Sequence, residues 1–173
     1  MVNKMRRVDF EQGSQAWLDW RKNLLTATDA PMLMGASPYS TPYKGWQRKL
    51  GLIPEQTETE AMRRGKRDEP ILREWFIKEY GMNMTPWCVE SSEYNFIGAS
   101  LDGITDDDQY ILEIKSNGDQ YHYGLNGGLP DFHMMQMQHQ FLSTDLRAKK
   151  GFYLSGNRGD KRVVEVNADM DWL

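Results

Sequence analysis

The sequence predicts an α/β or α+β protein with helices packed on a central sheet. Two observations carry this. In the first half, apolar residues recur at helical spacing between capping residues and glycine stops, whereas in the second half short β-branched and aromatic segments alternate with turn residues. The resulting order is helices, three strands, a helix and two strands, which is the pattern of a sheet covered by helices. With 173 residues and 39% hydrophobic content, the chain can bury one core. Its only linker-like stretch, Pro54 to Thr59, is too short to divide it.

Each element has a local cause. Ser14 is placed to cap a helix carrying Trp17, Trp20 and Leu24. Thr28 is placed to cap a short second helix with Pro31 in its first turn and a stop at Gly35. Thr41-Pro42 opens a third, which runs through Trp46 and Leu50 to Gly51. A longer helix is expected from about Glu60 to Tyr80, ended by Gly81. Pro70 should kink or restart it, because proline has no N–H to give to the preceding turn. Strands are expected at Trp87–Ser91, Phe96–Ile104 and Tyr110–Lys115. After a glycine-rich loop at Gly124 to Gly128, Pro130 opens a helix to about Ser143, and the last strands lie near Gly151–Leu154 and Arg162–Val166.

Composition excludes several function classes. Six Trp, eight Tyr and six Phe with 27% charged residues describe a globular chain. No stretch approaches the roughly 20 apolar residues a bilayer requires, and Met1 to Arg7 leads into Asp9 and Glu11, so no membrane partner and a cytoplasmic location are expected. Cys88 is the only cysteine, which leaves no internal disulfide, zinc ribbon or iron–sulfur cluster. His133 and His139 are six apart on the expected helix and His122 is in a loop, so no histidine zinc site is expected. The glycines at 124–128 lack the strand-to-helix context of a phosphate-binding loop. The net charge of −4 argues against a general basic coat, so any DNA contact must be local. Arg63-Arg64-Gly65-Lys66-Arg67 is the densest basic run.

The chemistry concentrates between Ser100 and Lys115. Two strands flank a polar turn centred on Asp107 and Asp108, a register that sets Asp102 opposite Glu113. Opposed residues of an antiparallel pair stand roughly 4.5–5.5 Å apart at Cα with side chains on one face, so two carboxylates are forced together. A divalent cation such as Mg²⁺ or Mn²⁺ turns that repulsion into stability. Alternation puts Lys115 beside Glu113, where its ammonium can hold an attacking water, and the carbonyl of Ile114 offers another oxygen ligand. Glu-X-Lys on a strand is by itself usually a surface ion pair; Asp102 at hairpin register is what separates this case. An EF-hand over Asp102 to Glu113 fails, because Ile104 and Asp107 stand where the loop requires an oxygen ligand and a glycine.

Four blocks in order, spanning Gly13 to Thr144, resemble the PD-(D/E)XK nuclease superfamily and, within it, the phage lambda-exonuclease or YqaJ-like viral recombinase group. They are Gly13-Ser14-Gln15-Ala16-Trp17 through Arg21 to Thr26-Ala27-Thr28; Gly65-Lys66-Arg67-Asp68-Glu69; Ser100-Leu101-Asp102-Gly103 with Leu112-Glu113-Ile114-Lys115; and Met135-Gln136-Met137-Gln138. Leu101 stands where the superfamily name has proline, which is not a ligand.

The resemblance implies a restriction-endonuclease-like core, with a mixed central β-sheet flanked by α-helices, as a single nuclease domain over residues 1–173 with a further C-terminal helix expected beyond it. It implies a Mg²⁺-dependent 5′ to 3′ exodeoxyribonuclease that degrades one strand of linear double-stranded DNA for recombination, with Mn²⁺ able to substitute and one or two ions per site. Glu69, Asp102, Glu113 and the Ile114 carbonyl then hold metal, Lys115 assists the water, and Gln136 points at the site. Arg21 and Thr28 match positions that hold the 5′ phosphate, with Lys44 or Arg48 as candidates for the second basic residue of that pocket. Arg63, Arg64 and Lys66 are the expected DNA contacts. The family further implies a ring-shaped homo-oligomer, often a trimer, a single-strand annealing partner, and the cytoplasm of a bacterial host for a phage or prophage protein. The alternatives are an endonuclease of the same superfamily and a non-catalytic DNA-binding module, which has no use for Lys115.

Overall fold

The computed structural model describes residues 5–54, 57–116 and 128–172. In chain order its elements are β1 (Arg6–Val8), α1 (Gln15–Lys22), β2 (Leu25–Thr26), α2 (Ala30–Leu33), α3 (Pro42–Lys49), α4 (Glu60–Tyr80), β3 (Thr85–Glu90), β4 (Ile97–Ile104), β5 (Tyr110–Lys115), α5 (Asp131–Ser143), β6 (Lys150–Gly156) and β7 (Lys161–Asn167). The strands make one mixed sheet in the order β1-β3-β4-β5-β6-β7, with β2 pairing in parallel to the start of β4. The β5–β6 pair is parallel, as its helical crossover through α5 requires, and the β1–β3, β3–β4, β4–β5 and β6–β7 pairs are antiparallel.

Helix caps form where side-chain chemistry favours them. Ser14 Oγ accepts from Trp17 N, Thr41 Oγ1 from Lys44 N and Thr59 Oγ1 from Met62 N, while Gly81 closes α4 at φ 64°. Two expectations need correcting. Pro70 does not restart α4, which is one helix over 21 residues. Pro70 lies on the exposed side, where solvent can take up the carbonyl it leaves unpaired, and Leu72 and Phe76 bury the following turns. Thr28 does not cap α2. Asp29 holds the cap position and turns its carboxylate back onto Thr26, accepting from its N–H and its hydroxyl. The segment at Gly124–Gly127, with His122, lies outside the described residues.

The sheet is packed on both faces. Ile111, Ala99, Leu101 and Tyr153 meet Met137 and Phe141 of α5, while Leu112, Ile114, Phe152 and Leu154 meet Leu72 and Phe76 of α4. On β5 the alternation predicted from sequence therefore sorts Ile111 and Glu113 toward α5 and Leu112 and Ile114 toward α4. Among the described residues, no helix is long and apolar enough to cross a membrane.

Candidate active site

The β4–β5 hairpin has the register read from sequence. Gly103 pairs with Leu112 and Ile104 with Ile111, and Thr105 N donates to Tyr110 O across the turn. Asp108 takes the left-handed conformation at φ 62° that this tight turn demands, and Arg7 (2.5 Å) and Arg147 (3.0 Å) hold its carboxylate. The ladder stops after two pairs. Beyond it, Asp102 Oδ2 accepts the backbone N–H of Ile114 at 2.7 Å, so a side chain replaces the next rung of the sheet. The strands part here, and the opening carries the acidic groups.

Glu113 is 2% exposed and enclosed by donors. From α5, Gln136 Nε2 donates to its Oε1 at 2.7 Å and Gln140 Nε2 to its Oε2 at 2.6 Å. Lys115 pairs with Oε1. From the other side of the sheet, α4 contributes Glu69, paired with Arg73 one turn later, and Arg73 Nε also donates to Asp102 O at 2.6 Å. Burial pushes the Asp102 carboxyl well above the ordinary range, and the nearby carboxylates of Glu113 and Glu69 push it further. Burial likewise raises Glu69, against the pull of Arg73. Burial alone would lower the Lys115 ammonium, but Glu113 and Asp102 reverse the sign and hold it raised.

A cleft of about 390 Å³ brings these groups together with the expected anion pocket. Glu69, Asp102, Glu113, Ile114, Lys115 and Gln136 line it, and so do Arg21, Thr28 and Arg64. Arg21 Nη2 donates to Thr28 Oγ1 at 2.7 Å and Thr26 Oγ1 at 3.3 Å, with its guanidinium 4.5 Å from the centre of the Trp17 ring. Trp17 is fixed in turn by its indole N–H on Ser100 Oγ at 2.8 Å. The role of Thr28 is therefore on the guanidinium, in place of the cap.

Arg63 and Lys66 do not join that cleft. Arg63 pairs with Glu60 at 3.1 Å and Lys66 with Glu58 at 2.6 Å, and Lys66 faces a neighbouring cleft on the far side of Trp17 and Glu69. Lys44 and Arg48 are also absent from the lining, and Arg48 donates to Ser40 Oγ. His133 and His139 point apart: His133 Nδ1 meets Tyr153 OH at 2.6 Å, while His139 Nε2 reaches the carbonyls of Leu25 and Gly98.

The donor set suits a hard divalent cation. Two carboxylates at a break in the sheet, a third on α4 and a main-chain carbonyl between them are all oxygen donors, and a cation would offset the charge that raises Asp102. Among the described residues, however, no three His, Cys, Asp or Glu side chains converge into a ready-made cage. The nearest set is Asp102 and Glu113 with Ile114, and Glu69 stands at its margin on Arg73.

Sequence reasoning missed Arg73 and Gln140. Both had a signal: each lies four residues after a residue already singled out, Glu69 and Gln136, on the same helical face.

The sequence profile of the YqaJ-like viral recombinase domain matches residues 16–147, which include every residue of this cleft except Gln12. The chain belongs to the YqaJ-like viral recombinase family. Within it, the Bacillus subtilis protein YqaJ, described as uncharacterized, is 25% identical over 170 residues, covering 92% of this chain and 52% of that protein. The chain thus spans about half the length of this curated relative. Among solved structures, the alkaline exonuclease LHK-Exo from Laribacter hongkongensis superposes at a TM-score of 0.76 with 23% identity, covering 92% of this chain and 84% of that one. Its complex with dAMP gives 0.75, 20% identity, 90% and 83%. A phage-related exonuclease from Haemophilus somnus gives 0.59, 11% identity and 86% of each chain. At these identities the superpositions establish the fold, and the YqaJ-like chain has the restriction-endonuclease-like architecture of the alkaline exonuclease.

Proposed function

We propose that this YqaJ-like protein is a Mg²⁺-dependent exodeoxyribonuclease that degrades one strand of linear double-stranded DNA from its 5′ end, with Mn²⁺ able to substitute. The observation that carries the reading is the single cleft shared by the Asp102–Glu113 pair, Lys115 and the Arg21–Thr28 pocket. Asp102, Glu113 and the Ile114 carbonyl would hold the metal, one ion or two, with Glu69 at its margin. When bound, the metal lowers the pKa of a water and neutralises charge on the scissile phosphate.

The remaining work belongs to side chains. Lys115, held beside Glu113, would donate to the attacking water. Gln136 fixes one oxygen of Glu113, and Arg73 holds Glu69. Arg21, oriented by Thr28 and stacked on Trp17, would clamp the terminal 5′ phosphate through charge-assisted hydrogen bonds. Arg64 adds positive charge at the rim, with Arg63 and Lys66 on the exposed face of the same helix for the duplex backbone. A homotrimeric ring around the DNA, a single-strand annealing partner and a host-cytoplasmic setting complete the proposal and rest on the family alone.

The test is digestion of a linear duplex bearing one labelled 5′ phosphate, beside a closed circle and a Lys115→Ala control, with and without Mg²⁺. Loss of the linear duplex alone, from its 5′ end and only with Lys115 intact, is the expected result. Cutting of the circle would identify an endonuclease, and no metal-dependent cleavage of either would leave a binding module.

A further inference from the structure

Gln136 and Gln140 lie one turn apart on α5 and donate to different oxygens of the same carboxylate. Gln140 is 0% exposed, and its own Oε1 has no hydrogen-bond partner among the described residues. An unpaired buried carbonyl is destabilising, a cost that methionine or leucine at the same place would not carry. The amide cannot turn over to remove it, because its oxygen would then face the Glu113 carboxylate, acceptor against acceptor. Gln138, between them, shows what a structural glutamine does in this helix: Nε2 donates to Asn167 O at 3.0 Å, and Oε1 accepts from Asp169 N at 2.8 Å. Gln138 uses both ends of its amide to tie α5 to the end of β7, whereas Gln140 uses only the end that meets Glu113.

We propose that Gln140 is a positioning residue for the site, an inference that rests on the nuclease reading above. Gln136 alone, with Lys115, restrains Oε1 and leaves the carboxylate able to swing about that oxygen. The second glutamine pins Oε2, fixes the carboxylate plane, and leaves the remaining lone pair of that oxygen facing one way for a divalent cation. Partners that orient a ligating group in this manner typically govern metal affinity by 10–100-fold.

The experiment measures binding of Mn²⁺ and Mg²⁺ alone by calorimetry, with thermal unfolding and duplex cleavage, for the wild type, Gln140→Met and Gln140→Asn. Methionine keeps the volume without the amide, and asparagine keeps an amide too short to reach Oε2. The expected result is metal affinity weaker by roughly tenfold in both variants, cooperative unfolding of both metal-free proteins, and cleavage restored by excess metal with KM for DNA unchanged. Should Gln140→Met fail to fold, Gln140→Asn gives the same reading. Wild-type metal affinity in the folded variants overturns the role of Gln140 while leaving the nuclease reading intact. A wild type that binds neither metal and cuts nothing removes both.

Discussion

Asp102 accepts the main-chain N–H of Ile114 through its own carboxylate, 2.7 Å away, at the rung where the β4–β5 ladder ends. One oxygen is thereby spent on bridging the strands where their ladder ends, and the group that makes the bridge is also a candidate ligand.

Asp102→Asn should therefore separate chemistry from structure. The amide oxygen still accepts from Ile114, but the charge crowding Glu113 and Glu69 is gone. Cleavage should fall by more than about 100-fold, while the metal-free protein unfolds at the same or a higher temperature. Retained cleavage would sink the proposed site.

Glu113→Gln should behave differently. Sequence alone suggests that removing either acid relieves the same repulsion, but Glu113 is also the counter-ion of the half-buried Lys115 and the acceptor of two glutamines. Its loss leaves the half-buried ammonium without its ion-pair partner, so cleavage should vanish together with about 1–3 kcal/mol of stability. Adding Lys115→Met should return much of that stability without activity, as denaturant titration of the single and double variants would show.

Arg21→Ala should blunt discrimination between 5′-phosphorylated and unphosphorylated ends, by roughly tenfold for loss of a charged hydrogen-bond partner. Equal loss on both kinds of end would count against the anion pocket. Thr28→Val should give a smaller change of the same kind, because it removes the hydroxyl that Arg21 holds.

His133 should confer acid sensitivity. Burial, helped by the Lys115 ammonium, lowers its pKa to about 2, so between that value and the ordinary 6.5 the unfolded chain binds a proton the folded one refuses. Stability from this residue is complete above pH 6.5 and is lost as pH falls, at up to about 1.4 kcal/mol per pH unit. Unfolding of the wild type and His133→Gln from pH 7 to 4 should show curves that converge toward acid. Parallel curves would mean that the ring titrates normally.

Much of this arrangement was legible in the sequence because it depends on short-range rules. The Asp107–Asp108 turn sets the hairpin register, and the register sets Asp102 against Glu113. Where the reading failed, a longer-range contact had overridden a local preference. Thr28 looks like a cap until Arg21 claims its hydroxyl, and Pro70 looks like a break until Leu72 and Phe76 anchor the turns beyond it. Strands β1 and β2, of three and two residues, carry no periodicity of their own and exist only as partners of β3 and β4. The enclosure of Glu113 from α5 needed the crossover that brings this helix over the sheet.

Helix α4 joins two parts of the molecule that are usually considered apart. Phe76, wholly buried beneath the sheet, sits two turns from Glu69, roughly 10 Å along one rigid rod. A change in side-chain volume at Phe76 would tilt or slide that rod and carry the acid with it. Interior substitutions far from any DNA should therefore register as altered metal requirement as well as a lower melting point, and the tolerance of this core to drift is set by the reach of one carboxylate.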